Sequence, residues 1–184
     1  MDELSLYVLD ITMNSVRAGA SRITVSIRED DTHIVFSVED NGCGMTAEQV
    51  KRLSDPFFTT RKTRRVGLGI PFLTMLAEMT GGGVSIRSVH ESESEEHGTV
   101  ITATFGRDHI DCIPLGDLIG TFKTLIQGSP AIDFTFIHET PRGTVRLCTA
   151  ELRGILGEIS LAEPEILGWI DGYLHEQYEE ISKK

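Results

Sequence analysis

The chain has 184 residues, with 28 acidic side chains against 17 basic ones and a net charge of −11. That length suits one ordinary domain, or a compact domain with a smaller appendage, and 40% apolar residues are enough for a packed core. The acidity argues against a DNA partner or an anionic membrane surface, since a phosphate-binding face needs clustered Lys and Arg. A small phosphate ligand held by backbone amides would leave little trace in net charge. The N-terminal MDELSLYVLD has no basic start and no apolar run of signal-peptide type. No stretch approaches the ~18 apolar residues of a membrane span. Cys43, Cys112 and Cys148 form no CxxC pair, so neither a disulfide framework nor a zinc site is expected. A cytoplasmic protein is the simplest expectation.

Residues 3–18 read as a helix, with Leu4, Val8, Ile11 and Ser15 at the spacing of one core-facing stripe. Ile23-Thr24-Val25-Ser26-Ile27 alternates apolar and polar, as a half-buried strand does. A second strand is predicted from His33 to Val38. Thr46 followed by Gln49 is a capping box for a short helix to Leu53. Residues 54–69 have no clean period. Pro71 is predicted to open a helix that runs to about Thr80, where Gly81-Gly82-Gly83 ends it. Strands follow at Val84–Val89 and Gly98–Phe105, separated by an acidic connector. These elements suggest a two-layer α/β sandwich over residues 1–107.

Residues 108–184 read as a separate small α+β unit of unassigned role. A helix is predicted over Asp117–Ile126. A hairpin over Asp133–Ile137 and Thr144–Cys148 turns at Pro141-Arg142-Gly143. A short helix over Thr149–Leu156 takes Thr149 as its cap, and a closing helix spans Pro164–Ile181.

Three constellations carry chemistry. Asp10 and Asn14 are four apart on the first helix, so a carboxylate and an amide sit side by side and could hold magnesium or a water. Asp40-Asn41-Gly42-Cys43-Gly44-Met45 places an acid at a strand end before two glycines that permit close backbone approach. Its carboxylate can accept from an exocyclic amine. Gly67-Leu68-Gly69 lies just before a helix N-terminus, where free amides and the helix dipole favour phosphate. Arg61-Lys62-Thr63-Arg64-Arg65, immediately upstream, is a basic run in an acidic chain. The spacing is neither a P-loop nor a dinucleotide fingerprint.

The order of these pieces is more informative than any one of them. It runs Asp10-x-x-x-Asn14, Asp40-x-Gly42-x-Gly44, Phe57-Phe58-Thr59-Thr60-Arg61-Lys62, Gly67-x-Gly69 and Gly98-Thr99. This resembles the Bergerat-fold, or GHKL, ATP-binding superfamily over residues 1–107. That superfamily includes histidine-kinase catalytic domains, MutL-type ATPases, type II topoisomerases and the ninety-kilodalton heat-shock chaperone. Asn14 to Ala20 looks most like the MutL pattern, and Asp55 to Thr60 most like a histidine kinase.

The resemblance implies ATP and Mg2+ as ligands. Asn14 would coordinate the magnesium that bridges the phosphates. Asp40 would accept the adenine amino proton, Gly42 and Gly44 would let the backbone pass close to the purine, and Met45 would line that pocket. Thr99 would anchor adenine through a water. Residues 55–69 would form a lid, with Arg61 and Lys62 near the phosphates. Gly67 and Gly69, with Leu68 between them, would present amides to the phosphate tail. Asp10 stands where these ATPases usually carry a Glu as general base, a role worth roughly 10²–10⁴-fold in rate. Arg65 replaces the first glycine of the usual kinase lid.

The expected function is that of a magnesium-dependent ATPase or protein kinase. It is like a histidine-kinase catalytic domain, with no phosphoacceptor helix of its own in this sequence. His138-Glu139-Thr140-Pro141-Arg142 superficially resembles a phosphoacceptor box, but the alternation before it predicts a hairpin tip. The alternative is a nucleotide-gated regulatory module with little catalysis. Its partners would be a protein substrate or a regulator, and a homodimer is compatible with the pattern.

Overall fold

A computed structural model describes residues 3–53 and 69–183. The order of elements is α1 (Leu4–Arg17), β1 (Arg22–Glu29), β2 (His33–Asp40), α2 (Ala47–Arg52), α3 (Gly69–Met79), β3 (Gly83–Val89) and β4 (Gly98–Gly106). Then come α4 (Leu118–Gly128), β5 (Asp133–Thr140), β6 (Gly143–Cys148), α5 (Thr149–Leu156) and α6 (Pro164–Ser182). The six strands form one sheet in the order β3-β4-β2-β1-β5-β6. Neighbouring strands are antiparallel except β1 and β5, which run parallel.

Alternation sets which side of each strand is buried. Ile23, Val25 and Ile27 of β1, Ile34, Phe36 and Val38 of β2, and Ile101, Ala103 and Phe105 of β4 all turn inward. The other side carries Thr24, Ser26, Ser37, Thr102 and Thr104, which are half-buried. Helices α1, α3, α4 and α6 form the layer over the apolar side, so the architecture is an α+β two-layer sandwich. From α1, Leu4, Val8 and Ile11 enter the core at the predicted spacing. Each such fully buried side chain contributes about 1.5–3 kcal/mol by area.

The sheet does not stop at residue 107. Strand β5 pairs with β1 from Arg22↔Asp133 to Arg28↔Glu139, and β6 extends the same sheet. The apolar core is continuous as well: Phe122 of α4 lies on Phe136 of β5 with ring centroids 4.1 Å apart. The segment before α4 also caps α1, since the first amides of that helix, Leu4 and Ser5, donate to the carbonyls of Pro114 and Leu115. Residues 108–184 thus share the sheet and core of residues 1–107, where the sequence suggests a separate unit. A parallel pairing between strands about a hundred residues apart has no local signature.

Local chemistry explains most element ends. Thr46 and Gln49 form the reciprocal capping box of α2. The described part of helix α3 starts at Gly69, two residues before Pro71. Thr149 is not the cap of α5: Cys148 holds that position, and the Thr149 hydroxyl accepts from the Phe134 amide at 2.8 Å. Among the described residues no helix is long and apolar enough to cross a membrane.

Candidate functional site

Helix α1, the end of β2 and the β3–β4 hairpin converge on Asp40. It is the last residue of β2, opposite Ile23 on β1 and Thr99 on β4. Each of its carboxylate oxygens accepts one hydrogen bond. Ser15 of α1 donates to Oδ2 at 2.5 Å, and the Gly42 amide donates to Oδ1 at 2.9 Å. A carboxylate has about four lone-pair directions, so about two remain for a further donor. Asp40 is therefore an oriented acceptor with spare capacity, the chemistry needed to select an amine.

The glycine loop after Asp40 is tightly held. Asn41 Oδ1 accepts from the amides of Ser21 and Arg22, which closes the start of β1. The Cys43 amide donates to the Ala18 carbonyl at the end of α1, and the Met45 amide to Ser88 Oγ at 2.8 Å. Gly44 has a φ of 68°, and a Cβ there would lie 1.8 Å from the Val89 carbonyl oxygen. Conformation and space both demand glycine at that position.

Thr99 is 7% exposed and lies 2.8 Å from Ser88 Oγ. Ser88 has a single hydroxyl proton, and the Gly98 carbonyl accepts it at 3.0 Å. Thr99 then donates to Ser88 and keeps its own lone pairs free.

The second half of the site lies between α1 and the start of α3. Asp10 and Asn14 share a side of α1. A Cβ on Gly69 would lie 1.9 Å from Asp10 Oδ2, so the carboxylate rests directly on the first described residue of α3. The N-terminal end of a helix carries a positive dipole that favours negative charge nearby. Asn14 Oδ1 accepts from Arg17 Nη1 at 3.1 Å. Among the described residues no group of three or more His, Cys, Asp or Glu side chains could hold a metal by itself.

The structure thus brings Asp40, Gly42, Gly44, Met45 and Thr99 to one end of the sheet, and Asp10, Asn14 and Gly69 along α1 toward α3. Arg61, Lys62, Gly67 and Leu68 lie outside the described residues. Ser15, Ser88 and His97 were not singled out by the sequence. Ser15 occupies a position of the apolar α1 stripe yet is only 5% exposed, and a hydroxyl at a core position was the available signal. The apparent phosphoacceptor motif is excluded by burial: His138 is 3% exposed and sits within β5.

A mixed sheet under one helical layer, with this carboxylate and glycine loop at its end, defines a GHKL-type ATPase domain. The chain belongs to the family of histidine kinase-, DNA gyrase B- and HSP90-like ATPases, whose model matches residues 2–109. Over 90 residues it is 37% identical to the sensor histidine kinase ZraS of Klebsiella oxytoca, which is 47% of this chain and 19% of that kinase. Over 106 residues it is 32% identical to sporulation kinase E of Bacillus subtilis, 56% of this chain and 14% of that protein. The chain therefore spans less than a fifth of the length of these curated relatives. In fold it is similar to the ATPase domain of Aquifex aeolicus MutL complexed with ADP, with a TM-score of 0.56 at 14% identity. That comparison covers 100% of this chain and 70% of the other, so the fold likeness includes β5, β6 and α6.

Proposed function

We propose that this chain binds ATP with magnesium and transfers or hydrolyses its γ-phosphate, in the manner of a histidine-kinase catalytic domain. The observation that carries this reading is the Asp40 carboxylate, aimed by Ser15 and the Gly42 amide with acceptor capacity to spare. Adenine would donate its amino group there, with Gly44 and Met45 beside the ring and Thr99 offering an acceptor. The α3 N-terminus would face the phosphates, and Arg61, Lys62, Gly67 and Leu68 would complete the lid.

Asn14 fits a magnesium ion that is otherwise ligated by phosphate oxygens and water, because magnesium accepts few protein ligands and prefers oxygen. When bound, that ion neutralises charge on the phosphates. Asp10, the nearby carboxylate, would take the proton from an attacking water or protein nucleophile. The bond from the γ-phosphorus to the β–γ bridging oxygen would break, ADP would leave with that oxygen, and the phosphoryl group would bond to the water oxygen or to the acceptor atom of the protein. A protein substrate or regulator, a homodimer and a cytoplasmic site all belong to this proposal.

The test is a radiolabelled γ-phosphate assay with the purified chain, alone and in cell extract. Free phosphate that falls on Asp10→Asn supports hydrolysis. Label on a protein supports a kinase, and its acid or base lability gives the residue type. ADP binding with neither outcome supports the second reading, a nucleotide-gated module. No binding of ATP or ADP overturns both.

A further inference from the structure

Three bonds from the β3–β4 hairpin hold the glycine loop. The Glu91 amide donates to the Cys43 carbonyl at 2.9 Å, and Ser88 Oγ accepts from the Met45 amide at 2.8 Å. The third comes from a side chain: His97 Nδ1 lies 2.5 Å from the Gly42 carbonyl oxygen. A carbonyl can only accept, so Nδ1 carries the proton. Gly42 is buried, and its carbonyl needs a partner there.

Gly42 is consequently held on both of its polar groups. Its carbonyl accepts from His97, and its amide donates to Asp40 Oδ1 at 2.9 Å. The two groups flank one Cα, so the two hydrogen bonds together fix the φ and ψ of a residue that would otherwise turn freely. A loop shift that let Gly42 find another donor would also move the amide that aims Asp40. We propose that His97 is a positioning residue of the adenine site, acting through Gly42 to set the direction of the Asp40 carboxylate. This rests on the assignment of Asp40 to adenine.

The test uses the full chain with three substitutions. His97→Asn keeps a donor close to the place of Nδ1. His97→Gln carries the amide one bond further out. His97→Phe keeps a flat ring with no donor. Each is titrated with ADP and with inosine diphosphate, which has a carbonyl where adenine has its amine.

Loss of one well-placed hydrogen bond predicts ADP binding about tenfold weaker in His97→Phe and His97→Gln, and within about threefold of wild type in His97→Asn. The preference for ADP over inosine diphosphate shrinks in the same two variants, which a general loosening of the fold would not produce. Backbone hydrogen exchange at Gly42 accelerates in them without nucleotide. An unchanged ADP preference in both variants overturns the proposal while leaving the adenine assignment intact. Failure of the wild-type chain to bind ADP overturns the assignment and the proposal together. If His97→Phe does not fold, the contrast between His97→Asn and His97→Gln decides in its place.

Discussion

The Ser15 hydroxyl on α1 reaches across to β2 and donates to Asp40 Oδ2 at 2.5 Å, tying the first helix to the strand end that carries the Asp40 carboxylate. Hydrogen bonds to a charged group contribute about 1.5–3 kcal/mol. Ser15→Ala removes this bond and replaces a modest helix former with the best one. We expect adenine-nucleotide affinity to fall about tenfold or more and the melting temperature to drop by a few degrees, because a helix gain of at most ~0.7 kcal/mol only partly offsets the lost bond. Asp40→Asn should cost more, roughly 100-fold, because an amide can present a donor to the adenine amine. Calorimetric titration with ADP measures both. Equal affinity in all three proteins would remove Asp40 from the nucleotide site.

Asn14 and Arg17 are coupled in a way that makes the magnesium role testable. Arg17 Nη1 occupies Asn14 Oδ1 at 3.1 Å, the oxygen a metal ion would use. A cation at that oxygen must compete with the guanidinium. Asn14→Ala should abolish the magnesium enhancement of ATP binding, whereas Arg17→Ala should preserve or raise it. ATP titrations with and without magnesium give the comparison. Equal enhancement in wild type and Asn14→Ala removes the proposed ligand.

Gly69 offers a separate probe of Asp10. Its Cβ position lies 1.9 Å from Asp10 Oδ2, so an added methyl must displace the carboxylate. The displaced atom is the end of a movable side chain, and alanine favours helix by up to ~1 kcal/mol over glycine. Gly69→Ala should therefore fold at least as well as wild type, yet lose most of any phosphate release or transfer, since proton abstraction depends on carboxylate placement. Thermal melts and the γ-phosphate assay together decide it. Full activity would show that the resting position of Asp10 does not matter.

The elements were legible where periodicity is local. Alternation in Ile23–Ile27 and the Thr46–Gln49 pair each carry their own instruction, and the structure follows them. The glycine loop after Asp40 was legible for the same reason, because acid and glycines are adjacent in the chain. Ser15 and His97 were not, because their partners, Asp40 and Gly42, are 25 and 55 residues away. Nothing in a helical stripe tells which strand end it will cover. The pairing of β5 with β1 was hidden likewise, and so was the use of Thr149 to tie α5 to the Phe134 amide.

The sheet edge at β6 predicts an effect outside the nucleotide site. The Arg146 amide donates to Gln177 Oε1 at 2.9 Å, and its carbonyl accepts from Gln177 Nε2 at 3.0 Å. These are the two bonds a neighbouring strand residue would exchange. An uncovered edge is a template for another strand. Gln177→Ala should leave the core intact and promote concentration-dependent self-association beyond that of wild type. Sedimentation velocity of both proteins across a concentration series reads it, and a variant that associates no more than wild type would show that the bulk of α6 shields the edge without this amide.

The buried His138 makes stability depend on pH with a definite sign. Its Nε2 donates to Glu29 Oε1 at 2.9 Å, and its Nδ1 accepts from the Tyr178 hydroxyl at 2.8 Å. Burial pushes the His138 pKa below its usual value, although the adjacent Glu29 carboxylate pulls the other way. Burial also raises the Tyr178 hydroxyl, with the Glu29 charge adding to it, so that group stays a donor. The folded chain therefore holds neutral His138, while the unfolded chain takes a proton near the ordinary value of about 6.5. The contribution is complete above that pH. It is lost as pH falls through about 6.5 toward the lower folded pKa, by at most about 1.4 kcal/mol per unit. Urea unfolding at stepped pH should show wild type losing this increment relative to His138→Gln, and the His138 ring resonances should titrate below the ordinary histidine value of about 6.5. A ring that titrates at or above its ordinary value would reverse the sign and refute the neutral bridge.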